Sequence, residues 1–234
     1  MAASWFGRAA AGGARGKVAV VHNGIALEPP ALSRQGREEV ARLGGLCEGK
    51  RVVGVVGRLR EEKNQAFLIR AMAGVIAEVP GAILLVIGTG PDRAKLESLC
   101  RDVGLTDQVI WTGELAPEVV AGAYDLMEVV AVPSLQESFG FVAAEAMAHS
   151  RPVVGLKVEG LKEVVEDRET GILVERGDQK AFEEAIIHLL KDKEAAERMG
   201  RKARQRVEAQ FGLPQFESGM MSFFSDALKR ASRA

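Results

Sequence analysis

The sequence predicts an α/β protein with a doubly wound, Rossmann-like parallel sheet that carries helices on both faces. Short, nearly continuous apolar runs rich in valine and isoleucine recur along the chain, and most of them end at glycine, proline or asparagine. Strands that are buried on both faces of a sheet have this composition. Stretches with apolar residues three and four positions apart separate the runs, which indicates parallel strands joined by helical, right-handed crossovers.

Seven apolar runs are predicted as strands, and their ends indicate where a functional site belongs. Ligands of doubly wound sheets bind beyond the carboxyl ends of the strands, so the residues that follow each run are the candidates. The predicted strands cover 18–21, 52–56, 82–87, 109–111, 129–132, 153–156 and 172–174.

Eight helices are predicted between and after these strands. In the first of them Leu68, Met72 and Val75 follow the spacing of one helix face. Asn64 is suited to cap that helix, and Pro91 is suited to the first turn of the next one. The predicted helices cover 64–79, 91–103, 117–124, 139–149, 160–166, 179–191, 193–210 and 214–230.

The composition excludes several classes of protein. The chain has 31 lysine and arginine residues against 32 acidic residues, and this balance argues against a general nucleic-acid binder. No apolar run reaches the roughly 18 residues of a membrane span. Two cysteines, Cys47 and Cys100, are too few for a disulfide framework and favour a reducing, cytoplasmic compartment. The three histidines are scattered, so no zinc site is predicted.

Residues 1–16 differ from the rest of the chain, because they are rich in alanine, glycine and arginine and contain no acidic residue. We interpret them as a flexible lead-in or the scar of a truncation, in preference to a targeting segment. Residues 17–234 are then expected to form one domain.

Two cations in the loop after the second run are candidates for binding an anion. Arg58 and Lys63 follow Gly57 and precede a predicted helix, and such a loop suits a diphosphate. A solvated charged loop explains this pattern equally well. Gly88 and Gly90 follow the third run, but they do not complete the dinucleotide motif, so a nicotinamide enzyme is not supported.

The strongest feature follows the fifth run and opens an apolar helix. Ser138 is suited to cap that helix, and Gly140 allows a ligand to approach the backbone closely. Glu145 lies among apolar residues, where an acid is unusual without a partner. Together with Glu137 it could hold hydroxyls of a sugar and of a ribose, with a diphosphate at the helix N-terminus between them. A surface acid and a salt-bridged helix acid are the plain alternative.

From about residue 18 to 230 the chain resembles the C-terminal, donor-binding domain of retaining glycosyltransferases of the GT-B type. The resemblance is specifically to glycosyl transferase group 1, known as family 4, because an ordered set of short motifs matches that family. These are His22-Asn23-Gly24-Ile25, Gly57-Arg58 with Lys63, Gly88-Thr89-Gly90-Pro91, Thr112-Gly113, Val132-Pro133-Ser134, the pair Glu137 and Glu145, Arg151-Pro152-Val153-Val154 and Thr170-Gly171-Ile172-Leu173-Val174.

The resemblance implies a role for each matching residue. Arg58 and Lys63 would neutralise the leaving diphosphate, so neither a metal nor another cofactor is expected. Glu137 would hold the donor sugar, and Glu145 would hold the ribose of the nucleotide. The implied catalytic residues are Arg58, Lys63 and Glu137, and the donor site would further include Gly57, Gly88, Gly90, Thr112, Gly113, Leu115, Ser138, Phe139, Gly140, Phe141 and Glu145.

The implied reaction is retaining hexosyl transfer from a nucleotide sugar such as a UDP-sugar or GDP-mannose. Residues 17–234 would form the nucleotide-sugar-binding domain, with a crossover helix at 214–230. An N-terminal acceptor-binding domain or subunit is the expected partner, and without it the chain would lack full activity. A lipid-linked acceptor would bring this cytoplasmic protein to the membrane face. A non-catalytic interaction or regulatory module, or a nucleotide-sugar epimerase or phosphorylase of the same architecture, remain alternatives.

The chain departs from the family pattern at three places, one of which is Ala26, where the family often has an acid after Asn-Gly-Ile. Glu159 stands where a small residue often precedes Gly160, and its carboxylate would repel a diphosphate unless it turns outward or Lys162 compensates. His149 and Ser150 replace the small residue and glycine that usually follow the apolar helix, so the left-handed cap would lack its glycine.

The last predicted helix carries an apolar stripe whose partner the sequence leaves open. Packing on the core of the same domain is the commoner outcome, while a protein partner or a membrane surface are the alternatives. The stripe consists of Phe216, Met220, Phe223, Phe224 and Leu228, with Phe211 before it.

Overall fold

The computed structural model describes residues 20–28 and 30–231, and its six named strands form one all-parallel sheet. The strand order is β3-β2-β1-β4-β5-β6, so β1 pairs with both β2 and β4 and the direction of winding reverses between β1 and β4. The predicted doubly wound α/β fold is therefore confirmed. The strands are β1 Arg51–Val56, β2 Ala82–Ile87, β3 Val109–Gly113, β4 Val129–Val132, β5 Val153–Leu156 and β6 Gly171–Val174.

Helices cover both faces of the sheet. Val52 and Val53 are neighbours on β1, yet their side chains belong to two different buried clusters, as expected for a strand covered on both sides. The helices are α1 Arg34–Cys47, α2 Gln65–Glu78, α3 Arg93–Asp102, α4 Pro117–Tyr124, α5 Phe141–Ala148, α6 Glu159–Val164, α7 Gln179–Lys191, α8 Lys193–Gln210 and α9 Leu213–Ala231. Helices α1, α4 and α5 pack on one face, and α2, α3 and α7 pack on the other.

Helix α1 is absent from the prediction, although the sequence carries its signals. Ser33 caps the helix, since its Oγ accepts a hydrogen bond from the amide of Gly36 at 2.9 Å. Leu43 and Cys47 lie one turn apart on the buried side. A capping serine followed by apolar residues at helical spacing is a recognisable start signal.

The predicted first strand, 18–21, is not a strand in the residues that the structure describes. Residues 18 and 19 lie outside them, as does the predicted lead-in 1–16, and Val20 and Val21 have no regular structure. Instead, Ile25 forms an isolated bridge with Gly212. This bridge ties the segment before α1 to the turn between α8 and α9.

Three of the predicted helix caps and first-turn positions differ in the structure. Asn64 precedes α2 in a left-handed conformation, with φ 54° and ψ 34°, and its side chain does not cap the helix. Helix α3 begins at Arg93, beyond Pro91. Gly140, not Ser138, is the N-cap of α5, and its φ of 98° is one that glycine tolerates best.

The apolar stripe of α9 is divided between buried and exposed side chains. Only the first part of the stripe packs on the core of the domain, since Phe211 is buried and Phe216 is half-buried. Farther along the helix Phe223, Phe224 and Leu228 are exposed. Across residues 20–28 and 30–231, no helix combines the length and apolar character needed to cross a bilayer.

Candidate functional site

The loops that follow β1 and β4 meet at the point where the winding of the sheet reverses. Helix α2 continues from the first loop onto one face, and α5 continues from the second onto the other, so a crevice opens between the loops. The side-chain amide of Asn64 donates to the carbonyl of Pro133 at 3.1 Å. The Asn64 side chain therefore links the two loops across the crevice instead of capping α2, the role predicted from the sequence.

Lys63 and Glu137 form an ion pair across this crevice. Lys63 Nζ donates to Glu137 Oε1 at 2.7 Å, and the two side chains are 28% and 13% exposed. Glu137 is therefore not a surface acid. Its second oxygen, Oε2, has no hydrogen-bond partner among the described residues, so one oxygen holds the cation while the other can accept a hydroxyl.

Arg58 is an exposed cation on the same loop as Lys63. Its guanidinium makes no hydrogen bond or ion pair with any residue that the structure describes, so its charge is available to a ligand. Its backbone is held, because the buried side chain of Gln65 donates to the Arg58 carbonyl at 2.9 Å. The loop thus presents a free cation on a fixed backbone.

The glycines after β1 and β2 allow two loops to touch. A Cβ on Gly88 would lie 2.0 Å from the carbonyl oxygen of Gly57, and a Cβ on Gly90 would lie 2.3 Å from that of Leu59. The amide of Leu59 donates to the carbonyl of Thr89 at 3.0 Å. These glycines therefore have a structural reason for their identity, and they support the loop that carries Arg58.

The loop after β3 joins the same edge of the sheet. The amide of Gly88 donates to the carbonyl of Gly113 at 2.8 Å, and Gly113 has a φ of 74°. The Thr112 hydroxyl donates to the Gly113 carbonyl at 2.8 Å. Leu115, two residues beyond, contributes to the wall of a cleft described below.

The N-terminus of α5 points into the site without a side-chain cap. Its N-cap is Gly140, so no hydroxyl or carboxylate occupies the first-turn amides. Phe139 before it is buried edge-on between Phe141, at 5.0 Å between ring centroids, and Phe211, at 5.5 Å. First-turn amides without a side-chain partner, on a helix held by an aromatic cluster, are suited to bind an anion.

Glu145, one turn into α5, has a partner that the sequence analysis missed. The Tyr124 hydroxyl donates to Glu145 Oε2 at 2.8 Å, and Tyr124 is only 1% exposed. Burial raises the pKa of Glu145, although this hydrogen bond and the nearby His149 act to lower it. Glu145 is therefore not a salt-bridged helix acid. The apolar neighbours of Glu145 in the sequence indicated that it must have a partner. They did not indicate that this partner is Tyr124, the single tyrosine of the chain.

A cleft of about 480 Å³ lies beside Glu145. Its walls are the segment before α1, helix α4 with the loop before it, and residues of α5 and its end. Glu137 and Lys63 line a different, smaller hollow at the ends of β1 and β4. The residues around the larger cleft include Gly24, Ala26, Glu28, Leu115, Val120, Tyr124, Phe141, Glu145 and His149.

Glu159 is exposed and is paired with Lys162. Its side chain is 77% exposed, and Lys162 Nζ lies 3.1 Å from its Oε1. One of the two conditions under which this carboxylate would be tolerated near a diphosphate, compensation by Lys162, is therefore met. Gly160 is the constrained member of the pair, because a Cβ there would lie 2.4 Å from the Glu137 carbonyl oxygen.

The donor groups of the site are not arranged as a metal centre. In the part of the chain that the structure describes, no three histidine, cysteine, aspartate or glutamate side chains come together in a group that could hold a metal ion. The expectation that no metal ion is needed stays a prediction from the sequence.

Comparisons with known proteins agree with this architecture. The family described as Glycosyl transferases group 1 matches residues 37–206. N-acetyl-alpha-D-glucosaminyl L-malate synthase of Bacillus anthracis is 31% identical over 185 residues, which are 79% of this chain and 48% of that protein. The chain spans about half the length of the curated relatives it matches.

Solved structures share the fold. Sucrose-phosphate synthase of Thermosynechococcus elongatus has a TM-score of 0.79 and 30% identity, over 91% of this chain and 53% of its own. Anabaena Alr3699/HepE in complex with UDP-glucose has a TM-score of 0.81 and 24% identity, over 96% of this chain and 62% of its own, which shows the fold alone. The sheet is that of one half of a GT-B glycosyltransferase, and the match over residues 37–206 shows that this chain belongs to the glycosyl transferases group 1 family.

Proposed function

We propose that this chain is the C-terminal, donor-binding half of a retaining hexosyltransferase of family 4. It binds a nucleoside diphosphate sugar, such as a UDP-sugar or GDP-mannose, and works without a metal ion or other cofactor. The observation that supports this most is the meeting of Lys63 and Glu137 across the crevice between β1 and β4. A cation and an acid at this point serve the diphosphate and the sugar of one ligand.

The cations act on the charge that develops as the bond between sugar and diphosphate breaks. Arg58 offers an unengaged guanidinium, Lys63 an ammonium held by Glu137, and α5 the uncapped amides of its first turn. These three positive groups are already in place before the reaction begins. They therefore stabilise the negative charge that grows on the diphosphate as the bond breaks. Glu137 Oε2 would accept a hydroxyl of the donor sugar.

The nucleoside occupies the larger cleft. Glu145 presents an acceptor for the ribose hydroxyls there, and Leu115 supplies an apolar wall for the base. The complex of Alr3699/HepE with UDP-glucose supports a nucleotide sugar as the ligand of this fold.

An acceptor-binding half completes the enzyme in this proposal, because transfer requires acceptor and donor to be held together. The exposed apolar side chains of α9, among them Phe224 and Leu228, offer a surface for that half. A lipid-linked acceptor would place the complex at the cytoplasmic face of a membrane.

Titration calorimetry against UDP-glucose, GDP-mannose and ADP-glucose tests the donor site. We expect one of them to bind equally well with magnesium and with EDTA, and Arg58→Ala to weaken it at least about tenfold, since it removes a charge-assisted contact to phosphate. Arg101→Ala is the matched control, because Arg101 is an exposed arginine at the end of α3.

Two results would contradict the proposal. A folded wild-type protein that binds none of the three nucleotide sugars would exclude a donor site, and equal losses in both arginine variants would exclude the assignment of Arg58. Chromatography of the products separates the alternatives, because an epimerase yields an altered nucleotide sugar and a phosphorylase yields a sugar phosphate.

A further inference from the structure

We propose that Tyr124 is a positioning residue of the nucleoside site, whose hydroxyl occupies one oxygen of Glu145 and leaves the other to the ligand. The proposal rests on the proposed function of Glu145 as the acceptor for ribose hydroxyls. Tyr124 itself does not need to touch the ligand for this role.

The geometry of the carboxylate carries the inference. Tyr124 donates to Glu145 Oε2 at 2.8 Å, while Oε1 has no partner among residues 20–28 and 30–231. Both side chains line the cleft of about 480 Å³. A carboxylate with two free oxygens can rotate between orientations, whereas a fixed hydrogen bond to one oxygen holds the other in a single direction.

Tyr124 is held firmly enough to impose this orientation. It is the last residue of α4 and is almost fully buried, and its ring lies 5.4 Å from that of His149 at the end of α5. The next residue, Asp125, has Oδ1 at 3.1 Å from His149 Nδ1 and at 3.6 Å from Arg151 Nη2. The end of α4 is thus tied to the end of the helix that carries Glu145.

The charges around Glu145 explain why a buried hydroxyl is needed there. Burial raises the pKa of Glu145, and the hydrogen bond from Tyr124 opposes that rise, as does His149 from the end of α5. From the segment before α1, Glu28 lines the same cleft, where its carboxylate is 89% exposed and pairs with Arg204 at 3.4 Å. The pKa of Tyr124 is raised well above its usual value, first by burial, so it stays a proton donor at ordinary pH.

Tyr124→Phe tests this role, because it removes only the hydroxyl. With UDP-glucose as the probe in calorimetry, we expect affinity about threefold to tenfold weaker at pH 8, with the loss growing as the pH is lowered to 5.5. The sign follows from the hydrogen bond, since without it the pKa of Glu145 rises and the ionised acceptor is lost at a higher pH. Glu145→Gln should bind weakly and with no such pH dependence, with or without the Tyr124 hydroxyl.

Carbon-detected NMR titration of the Glu145 carboxyl separates this proposal from the donor-site proposal, because it needs no ligand. A higher midpoint in Tyr124→Phe than in the wild type supports the positioning role, even if no nucleotide sugar binds. An unchanged midpoint, or a loss of affinity that is the same at pH 5.5 and pH 8, would overturn it. Should Tyr124→Phe not fold, a Glu145→Gln variant that binds UDP-glucose as tightly as the wild type overturns the proposal, because Tyr124 would then position no ligand-binding group.

Discussion

At the scale of single residues, the backbone decides which side chains fit at the proposed diphosphate end of the site. Gly160 approaches the carbonyl of Glu137 so closely that no side chain fits, whereas the neighbouring Glu159 projects into solvent and pairs with Lys162. The pairing with Lys162 therefore lessens the repulsion that the Glu159 carboxylate would exert on a bound diphosphate. Glu145, in contrast to the exposed Glu159, lies in the middle of α5 and lines the cleft.

These positions predict unequal effects of removing the two acids. Glu145→Ala should weaken nucleotide-sugar affinity about tenfold or more, because it removes a hydrogen bond to a charged group, while Glu159→Ala should change affinity less than twofold. Calorimetry of both variants under identical conditions is the measurement. Equal or reversed losses would show that Glu145 does not hold the nucleotide.

Ser150 predicts a gain in stability. Its φ of 55° is left-handed, a conformation that costs a residue with a Cβ roughly 1–2 kcal/mol but costs glycine little. Allowing for the greater freedom of glycine in the unfolded chain, Ser150→Gly should stabilise the fold by up to about 1 kcal/mol. Calorimetric melting would show this as a rise of a few degrees in Tm. Ser150→Ala keeps the Cβ and should not raise Tm, so a rise there would contradict the explanation.

At the scale of elements, six of the seven predicted strands are present, because each is a continuous apolar run and burial on both faces requires that pattern. The run at 18–21 is apolar too, but Val20 and Val21 belong to no strand. The helix starts were harder to predict, because Asn64 and Ser138 both have side chains that can cap a helix. In the structure Asn64 binds the Pro133 carbonyl, and Gly140 takes the N-cap position predicted for Ser138. The bond between Tyr124 and Glu145 could not be predicted, because it depends on α4 lying beside α5. Sequence spacing carries no information about that contact.

The contact between the loops after β1 and β2 makes a specific prediction. Gly88→Ala would place a Cβ 2.0 Å from the Gly57 carbonyl oxygen and would also strain a φ of 129°. Gly104→Ala is matched, because Gly104 has a φ of 73° but no atom within 4 Å of the added Cβ. We expect Gly104→Ala to cost about 1 kcal/mol and Gly88→Ala at least about 2 kcal/mol more.

Urea unfolding measures both free energies, and nucleotide-sugar affinity should fall only in Gly88→Ala, since that loop supports the backbone of Arg58. Similar unfolding free energies for the two variants would mean that the loops are not in contact.

At the scale of the whole molecule, the fold of an almost neutral chain brings candidate site residues together beyond the ends of β1 and β4. The reversal of winding between β1 and β4 brings Lys63 to Glu137, although 74 positions separate them. The sequence predicted both residues, because each follows an apolar run, and the resemblance assigned their roles. It could not show that they pair with each other, which requires β1 and β4 to be neighbours in the sheet.

The same view of the molecule predicts that the far part of α9 contributes little to the stability of this domain. Leu228 is 71% exposed, whereas Leu189 on α7 is fully buried in the core. Leu189→Ala should cost about 2–5 kcal/mol of unfolding free energy, from lost burial and the cavity left behind, and Leu228→Ala less than about 0.5 kcal/mol. Urea unfolding of the two variants measures the difference. A large loss in Leu228→Ala would mean that α9 packs on this domain, and would leave the proposed acceptor-binding half without its apolar surface.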